Sequence, residues 1–576
     1  MAAPVTPSLR LESWFVPAAQ GAGSMRLRLV NAGREALAGF RLTFTTVVQL
    51  TIEAPAALVE RTSGFHVVAP PSDLALGPGE VWTFAAACGH RPRHANDGPT
   101  GAYVVLDDGA SVPVRTAPTG RVTGGWRRPS EPGPTPVRLA STGAAIEGAW
   151  ALTAGRERRL HPGAEPVLAD DGAPVVASID DRMDAESAVV DAADDGWSVR
   201  AGSPIALQRA FTALATRSLC PPVPGMTWRG VHLDLARQFF PAEDVDWLID
   251  VAAWRGLNRV HLHLTDDEAW RVPITAYPAL TDVGAWRGHG LAIPPLLGSG
   301  PAPFGGSYTR AQISGWVARA AAAGIELVPE VDLPGHCFAA LAAVPALRDP
   351  CDRSSAMSIQ SFVGNVLDPG VAATWPFLET VVGELADLFP GPWLHVGGDE
   401  VPDGAWSGSP SAIRWAAERG IAGSPAVGAA FMAEIVRLVR VTTGRQVGVW
   451  QEAAESGAMG PGDGYVVGWK SADDCRRLAA AGHTVVAAPA ERYYLDMAAS
   501  TDWDAPGAGW AGHSSLADVE AFEVARDWTT AERSHLLGLQ ACAWTEHAPD
   551  RPSLERLLFP RVDAIAAAAR TLDPRY

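Results

Sequence analysis

Eight short apolar runs recur between residues 230 and 546, and stretches with helical periodicity separate several of them. Continuous apolar runs of this length are typical of parallel strands that are buried on both faces. Eight such strands with helical connections predict a closed (β/α)8 barrel. The runs are GVHLDLA (230–236), RVHLHLT (259–265), IELVPEVD (325–332), WLHVGGD (393–399), QVGVWQE (446–452), GYVVGWK (464–470), HTVVAAP (483–489) and LQACAWTE (539–546).

An open, doubly wound sheet is the alternative fold for a chain in which strands and helices alternate. Sheets of that kind bind nucleotides through a GxGxxG turn or a phosphate-binding loop, and neither is present where such a sheet would need one. The barrel is therefore the favoured fold. Helices are predicted at AEDVDWLIDVAAWRG, ARAAAAG, TWPFLETVVGELADLF, AAFMAEIVRLVR and ADDCRRLAAAG.

The chain before the barrel differs in pattern. Residues 1–126 alternate short β-rich runs, such as MRLRLVNAG, GFRLTFTTVV and GAYVVLDDG, with turn residues, which predicts a β-sandwich. The proline-rich stretch RRPSEPGPTP (127–136) predicts a linker. Residues 134–222 contain strand-like pieces followed by the helical pattern SPIALQRAFTALATRS, which predicts a small α+β domain. The barrel is expected to fill residues 225–576.

Charge and composition exclude several classes of function. The formal net charge of -18 argues against a nucleic-acid partner. No run of apolar residues is long enough to span a membrane, and no secretory signal is visible, so a soluble, cytoplasmic protein is expected unless a leader has been removed. The six cysteines lack CxxC spacing, which disfavours a zinc site. The 21 tryptophans suggest that several line a flat apolar ligand such as a sugar ring.

Polar and aromatic residues are concentrated where the predicted strands end. Barrel enzymes build their active sites at the carboxyl ends of the strands, so this concentration predicts an active site. A single carboxylate at such a position could merely cap the next helix, but nearly every strand end here is polar or aromatic. The residues are Asp234, Arg237, Asp266, Asp267, Glu330, Asp332, His336, Asp399, Glu400, Trp450, Glu452, Trp469, Trp544 and Glu546.

These residue types indicate acid catalysis on a sugar. The set lacks a cluster of His or Cys ligands for a transition metal and lacks a Ser-His-Asp order. Cleavage of a glycosidic bond needs a carboxylic acid to protonate the leaving oxygen, a stabiliser of positive charge, and apolar walls for the ring. Asp399 and Glu400 are adjacent, and neighbouring side chains on an extended segment point to different sides. They are therefore not expected to be an opposed acid and nucleophile.

The motifs through the whole barrel closely resemble those of the β-N-acetylhexosaminidases of glycoside hydrolase family 20. They occur in the family's order, as WRGVHLDLARQFF (228–240), HLHLTDDEAWR (261–271), PEVDLPGH (329–336), HVGGDE (395–400), VWQE (449–452), GWK (468–470), YYLD (493–496) and ACAWTE (541–546). The resemblance implies an exo-acting, retaining hydrolase that removes terminal GlcNAc, or GalNAc, without metal or cofactor. A lacto-N-biosidase of the same family and a non-catalytic carbohydrate-binding barrel are the alternatives.

The resemblance also implies roles for individual residues. The substrate's own 2-acetamido carbonyl is the nucleophile in this family, and an oxazolinium intermediate forms. Glu400 is then the general acid and base, Asp399 binds the acetamido N–H, and Tyr494 donates to the acetamido oxygen. The remaining implied roles are Trp450, Trp469 and Trp544 as aromatic walls, Arg229 and Glu546 with Asp496 as ligands of the outer hydroxyls, and Asp266 with His336 as a dyad behind the acid.

Two points stay open in the sequence. Trp270, Asp332 and Glu330 are equally compatible with a purely structural role and with support of the site. Every motif lies at or beyond residue 228, so the N-terminal domain is expected to be dispensable for the chemistry.

Overall fold

The computed structural model describes residues 9–62, 64–122, 226–355 and 364–571, with short pieces between residues 167 and 210. Ten of the described strands form one sheet in the N-terminal part of the chain. They are β1 (Leu9–Val16), β2 (Ser24–Asn31), β3 (Phe40–Thr45), β4 (Leu50–Ile52), β5 (Ala57–Thr62), β6 (Phe65–Ala69), β7 (Val81–Cys88), β8 (Thr100–Leu106), β9 (Ser111–Thr116) and β10 (Gly120–Arg121). A short 3-10 helix, Ala95–Asp97, lies between β7 and β8.

This sheet folds over a single hydrophobic core, as a sandwich does. Parallel pairing of β1 with β9 joins its two halves, whose order is β4-β7-β2-β1 and β9-β8-β3-β6-β5. Leu27 on β2 and Leu42 on β3 come from different halves, yet both are fully buried in the same hydrophobic cluster. Alternation of apolar and polar residues along β2 and β7 places one face of each strand in this core. The predicted N-terminal strands are confirmed.

A second, four-stranded sheet precedes the barrel, in the order β11-β12-β14-β13. Its strands are β11 (Val167–Leu168), β12 (Pro174–Ile179), β13 (Ala188–Ala193) and β14 (Gly196–Ala201). Three of them lie in the predicted strand-like pieces EPVLA, PVVASID and GWSVRAG, whereas β13 was not predicted. Residues 206, 207 and 210 of the predicted helix are helical. The predicted linker, 127–136, lies outside the described residues, so the exact domain limits stay predictions.

The rest of the described chain forms the predicted barrel. Eight parallel strands close in the order β15-β16-β21-β22-β23-β24-β25-β26, and β26 pairs with β15. Closure excludes the open, doubly wound sheet. The strands of this part are β15 (Trp228–Asp234), β16 (Arg259–His263), β17 (Thr265–Asp266), β18 (Ala269–Trp270), β19 (Trp286–Arg287), β20 (Phe304–Gly305), β21 (Glu326–Glu330), β22 (Trp393–His395), β23 (Gln446–Trp450), β24 (Gly464–Gly468), β25 (Thr484–Ala487) and β26 (Leu536–Ala543).

Helices surround the barrel, and all five predicted ones are confirmed. In Ala242–Trp254 the residues Val245, Leu248, Ile249 and Ala252 are buried, which is the spacing of one helix face. The described helices are Ala242–Trp254, Ala279–Asp282, Arg310–Ala322, Phe338–Ala343, Thr374–Leu388, Pro410–Glu418, Ser424–Thr443, Gln451–Glu455, Ala472–Ala480, Ala490–Tyr493, Leu516–Glu520, Thr530–Arg533, Arg551–Leu558 and Arg561–Thr571, with a 3-10 turn at Pro345–Leu347. Within the described part of the chain, no helix combines the length and the apolar character needed to cross a bilayer.

Candidate active site

The segment after β22 passes directly against Asp332 because it contains two glycines. Gly397 and Gly398 have φ values of 66° and 98°, a region that glycine adopts without steric cost. A Cβ atom on Gly397 would lie 1.6 Å from Asp332 Oδ1. Gly398 N–H donates to the same carboxylate at 3.2 Å. The glycine pair therefore places Asp399 and Glu400 at the carboxyl end of the barrel, beside Asp332.

Asp399 and Glu400 both face His336, which differs from the sequence expectation of side chains on different sides. His336 Nε2 is 3.5 Å from Glu400 Oε2 and 3.9 Å from Asp399 Oδ2. The reason is that Glu400 has a φ of 48°, so the segment is left-handed here and not extended. A non-glycine residue in this region is strained, and such strain concentrates at functional sites.

Asp266 and Arg237 hold His336 in place from behind. His336 Nδ1 donates to Asp266 Oδ1 at 3.1 Å, and Arg237 Nη2 is 2.7 Å from Asp266 Oδ2. Burial lowers the pKa of His336, but Asp266, Asp332 and Glu400 together outweigh burial and keep this pKa well above its ordinary value. Burial raises the pKa of Asp266, but Arg237 and His336 outweigh it and keep this pKa well below its ordinary value. The pair is therefore an imidazolium and a carboxylate, with the cation next to Glu400.

Asp399 has a buried carboxylate group, and one of its two oxygen atoms accepts no hydrogen bond from the described residues. It is 8% exposed, and its Oδ1 has no hydrogen-bond partner among the described residues. Burial raises the pKa of Asp399; His336 opposes this effect and the Glu400 carboxylate adds to it. Burial and the charge of Asp399 also raise the pKa of Asp332 well above its ordinary value. A protonated Asp332 beside Asp399 would let Asp399 remain the ionised member of the pair.

Aromatic rings form a wall next to these carboxylates. Tyr494 stacks against Trp469 with the ring centroids 6.0 Å apart and an angle of 12°. Trp544 lies 6.1 Å from the Tyr494 ring and 5.8 Å from the Trp450 ring. Trp510 packs edge-on against Trp469 and Tyr494, yet it remains 54% exposed. The four indoles and the phenol line one side of the site, called the pocket below, with a surface whose chemistry suits a small apolar group and one face of a sugar ring.

A hydrogen-bonded cluster beneath the pocket fixes Trp450. Trp450 Nε1 donates to Glu330 Oε1 at 2.7 Å. The same carboxylate is 2.7 Å from His263 Nδ1, 3.1 Å from His261 Nε2 and 2.9 Å from His395 Nδ1. Burial raises the pKa of Glu330, but these histidines outweigh it and keep the pKa well below its ordinary value. Glu330 therefore supports the wall from inside the barrel.

Ligand atoms of several His and carboxylate groups lie within 4.8 Å of one another, including those of His232, His261 and Glu330, and those of His336, Asp399 and Glu400. In both groups the carboxylates already have imidazole neighbours at hydrogen-bonding or near hydrogen-bonding distance. Glu330 and Glu400 thus each have an imidazole neighbour, whereas both ring nitrogens of His232 lack a hydrogen-bond partner among the described residues.

Three charged side chains lie at the outer end of the pocket. The Arg237 guanidinium lies over the Trp544 ring, 4.9 Å from its centroid. Burial raises the pKa of Glu546 to about 7, an effect that Arg237 opposes. Burial, followed by the charge of Glu546, raises the pKa of Asp496 well above its ordinary value. Asp496 Oδ1 is buried and has no hydrogen-bond partner among the described residues. Asp496 and Glu546 thus interact electrostatically, and Asp496 Oδ1 can accept a hydrogen bond from a hydroxyl group; their role as ligands of the outer hydroxyls stays a prediction.

The predicted role of Arg229 is wrong. Arg229 is the second residue of β15 and is fully buried. Its Nε and Nη1 donate to the carbonyl oxygens of Gly256 and Met226, which precede β16 and β15. Arg229 therefore lies at the amino end of the barrel, away from the pocket. The arginine at the carboxyl end is Arg237, three residues after the last residue of β15.

Sequence reasoning also left two pocket residues without a role. Trp510 is one of them, and its position in a long loop gave no periodic signal. The other is Glu452, whose Oε2 accepts a hydrogen bond from Trp469 Nε1 at 3.0 Å. Burial raises the pKa of Glu452 to about 7, and the charge of Asp399 contributes in the same direction. Its place two residues after the end of β23 was the available signal.

A comparison with protein families identifies the family of this chain. Residues 226–571 match the model of the glycosyl hydrolase family 20 catalytic domain. The chain belongs to glycosyl hydrolase family 20. It is 36% identical over 348 residues to a beta-hexosaminidase of Vibrio furnissii, a match that covers 60% of this chain and 57% of that protein. It is 33% identical over 379 residues to a beta-N-acetylhexosaminidase of Cellulomonas fimi, covering 64% of this chain and 69% of that protein.

Solved structures of this family are similar over different lengths. A GH20 exo beta-N-acetylglucosaminidase of Vibrio harveyi, in complex with N-acetylglucosamine, superimposes with a TM-score of 0.83 at 25% identity. That match covers 98% of this chain and 94% of the other, so the likeness is not confined to the barrel. A Streptomyces plicatus beta-hexosaminidase with GlcNAc bound has a TM-score of 0.57 at 27% identity and covers 69% of this chain and 78% of the other.

Proposed function

We propose that this family 20 glycoside hydrolase is an exo-acting, retaining β-N-acetylhexosaminidase that removes terminal non-reducing GlcNAc by substrate-assisted catalysis. The observation that supports the proposal most is the arrangement of Asp399 and Glu400. Asp399 offers an unpartnered acceptor beside an aromatic pocket, and Glu400 lies next to the His336 imidazolium. One carboxylate can bind a 2-acetamido group while its neighbour serves the glycosidic oxygen.

The first step joins the acetamido oxygen to the anomeric carbon. Glu400 gives its proton to the glycosidic oxygen, and the bond to the leaving group breaks. Asp399 accepts a hydrogen bond from the acetamido N–H and stabilises the positive charge of the oxazolinium ring as it forms. The wall of Trp450, Trp469 and Trp544 holds the acetamido methyl, so that attack is intramolecular and its entropy cost is reduced.

The second step restores the configuration. Glu400, now a carboxylate beside the cationic His336, takes a proton from water, and the oxygen of that water opens the ring at the anomeric carbon. Two inversions at one carbon give net retention. Because Asp266 fixes His336 in its charged form, the cation favours the state in which Glu400 is ionised, and this state develops as the leaving group departs.

The outer end of the pocket selects the terminal sugar. Asp496 and Glu546 offer carboxylate oxygens to hydroxyl groups, and Arg237 takes the place proposed for an arginine there. Hydrogen bonds between charged side chains and sugar hydroxyls are strong and directional. The names of similar proteins agree with this proposal, since the Vibrio harveyi and Streptomyces plicatus structures contain N-acetylglucosamine. The match with the Vibrio furnissii relative spans 57% of the length of that protein.

The proposal is tested with chromogenic β-glycosides of GlcNAc, GalNAc, glucose and lacto-N-biose, assayed side by side. We expect turnover of the GlcNAc glycoside, with GalNAc second, and almost none of the glucoside. Preference for the lacto-N-biose glycoside would instead identify a lacto-N-biosidase. Absence of turnover with retained sugar binding would indicate the non-catalytic barrel. The Asp399→Asn, Glu400→Gln double variant is the control for contaminating activity.

A further inference from the structure

The N-terminal sheet contacts a barrel loop that carries part of the pocket. This loop, residues 496–510, begins at Asp496 and ends at Trp510, and we call it the glycon loop. Trp503, near its middle, packs against the hydrophobic core of the N-terminal sheet. Its Nε1 donates to the Thr119 carbonyl oxygen at 2.7 Å, and its ring stacks on Phe15 with an angle of 12°. The centre of the glycon loop is therefore part of another domain's core.

A second contact lies nearer the pocket, at the 3-10 helix of the N-terminal domain. Asn96 Nδ2 donates to the Gly507 carbonyl oxygen at 2.9 Å and lies 3.1 Å from His547 Nδ1. His547 directly follows Glu546 in the chain. One side-chain amide thus links the glycon loop to the segment after β26, and these two segments carry the two outer carboxylates of the pocket.

Gly507, which accepts the hydrogen bond from Asn96, lies close to both ends of the glycon loop. Ala508 N–H donates to the Asp496 carbonyl oxygen at 2.7 Å, and Ala508 is the residue after Gly507. Gly509 packs closely against the N-terminal domain, since a Cβ atom there would lie 2.8 Å from Arg93 Cδ and 3.2 Å from His94 Nε2. Backbone displacement at Gly507 would therefore reach both ends of the loop.

We propose that Asn96 is a positioning residue for the active site, which fixes the separation of Asp496 and Glu546 from outside the barrel. The proposal rests on the proposed function, in which these carboxylates bind the outer hydroxyls of the sugar. It runs against the sequence expectation that the N-terminal domain is dispensable for the chemistry. Contacts between the segments that carry Asp496 and Glu546 fix the distance between the two carboxyl groups, and the Asn96 amide makes such a contact from outside the barrel.

The effect of losing Asn96 is expected on KM more than on kcat. Contacts to the outer hydroxyls are made equally in the ground state and the transition state, so their loss weakens binding without slowing the chemical step. We expect KM to rise about fivefold, which corresponds to a loss of roughly 1 kcal/mol of binding free energy. A purely structural role would lower the melting temperature and the fraction of active enzyme but leave KM unchanged.

The test measures kcat and KM of the full chain with an aryl β-GlcNAc glycoside for Asn96→Ala. Tyr103→Phe is the matched control, because it removes another contact between the same two domains, Tyr103 Oη to His289 Nδ1 at 3.4 Å, outside the glycon loop. We expect KM to rise in Asn96→Ala and to stay at the wild-type value in Tyr103→Phe. Asn96→Ser, which is too short to reach Gly507, replaces the alanine variant if that variant does not fold.

A double-mutant cycle gives the decisive comparison. In an Asp496→Asn background, Asn96→Ala should raise KM by much less than in the wild type, because the group that it positions is already impaired. An unchanged KM in Asn96→Ala and Asn96→Ser, or the same rise in both backgrounds, would overturn the positioning role. A wild-type enzyme with no activity on the GlcNAc glycoside would instead overturn the proposed function, and the two failures are thus distinguishable.

Discussion

At the scale of single residues, the left-handed conformation of Glu400 decides how the two carboxylates share one histidine. An extended residue at this position would turn Glu400 away from Asp399, and His336 could not face both. The sequence HVGGDE shows which residues are adjacent, but the φ of 48° depends on contacts with Asp332 and His336 that come from another strand end. The chemistry could therefore be predicted from the residues, whereas their convergence could not.

Replacing Glu400 with glutamine separates its role as an acid from its other contributions. We expect Glu400→Gln to reduce kcat/KM for natural disaccharides on the order of 10²–10⁴-fold, since glutamine cannot protonate the leaving oxygen. The loss should be much smaller with aryl glycosides whose leaving group is stable as an anion. Kinetics with both substrate types check this prediction, and equal losses would argue against an acid role.

Arg237 and Arg229 form a matched pair with opposite expected effects. Arg237→Lys should raise KM strongly, because lysine cannot keep the planar contacts with Trp544 and Asp266. Arg229→Lys should lower the melting temperature and leave KM unchanged, since the Arg229 guanidinium donates to backbone carbonyls at the amino end of the barrel. Thermal unfolding and steady-state kinetics of both variants provide the check. A raised KM in Arg229→Lys would restore the sequence-based assignment.

The error with Arg229 shows which sequence rule was missed. Active-site residues of such barrels follow the strands, and Arg229 stands at the start of β15, whereas Arg237 follows its end. Periodicity predicted the strand correctly, so the direction of the chain alone would have identified Arg237. Trp510 is different: nothing in its local sequence indicates that the glycon loop returns to Tyr494.

At the scale of elements, the turn after β22 requires glycine for a steric reason. We expect Gly397→Ala to abolish activity and to destabilise the protein by several times the roughly 1 kcal/mol typical of point mutations, because the new Cβ would overlap Asp332 Oδ1. Gly383→Ala is the control. It lies inside the helix Thr374–Leu388 with nothing within 4 Å of its Cβ position, and it should stabilise by about 0.5–1 kcal/mol.

Denaturant unfolding and activity assays of the two glycine variants check these opposite signs. Wild-type activity in Gly397→Ala would mean that the contact between the turn and Asp332 is not needed. The barrel strands themselves were predictable because each contains a run of mainly apolar residues that recurs between helical segments. The short pairs β17–β18 and β19–β20 were not, because two-residue strands have no periodicity and depend on tertiary contacts.

At the scale of the whole molecule, the sequence pattern indicated separate domains but not how they meet. Asn96 contacts Gly507 and His547, which lie 411 and 451 positions further along the chain. No local sequence pattern predicts contacts between residues so far apart. The same limit applies to the pairing of β26 with β15, which the strand count could predict only as a consequence of closure. Composition and motifs therefore identified the class of chemistry, while the support of the pocket by the N-terminal sheet required the structure.

The central claim is that the nucleophile belongs to the substrate, and a series of aryl β-GlcNAc glycosides tests it most directly. The members bear N-acetyl, N-fluoroacetyl, N-difluoroacetyl and N-trifluoroacetyl groups, and kcat/KM is measured for each. Fluorine withdraws electron density from the carbonyl oxygen that we expect to attack, so kcat/KM should fall with each added fluorine. Equal values across the four substrates would contradict participation of the acetamido group and would indicate a nucleophile supplied by the protein.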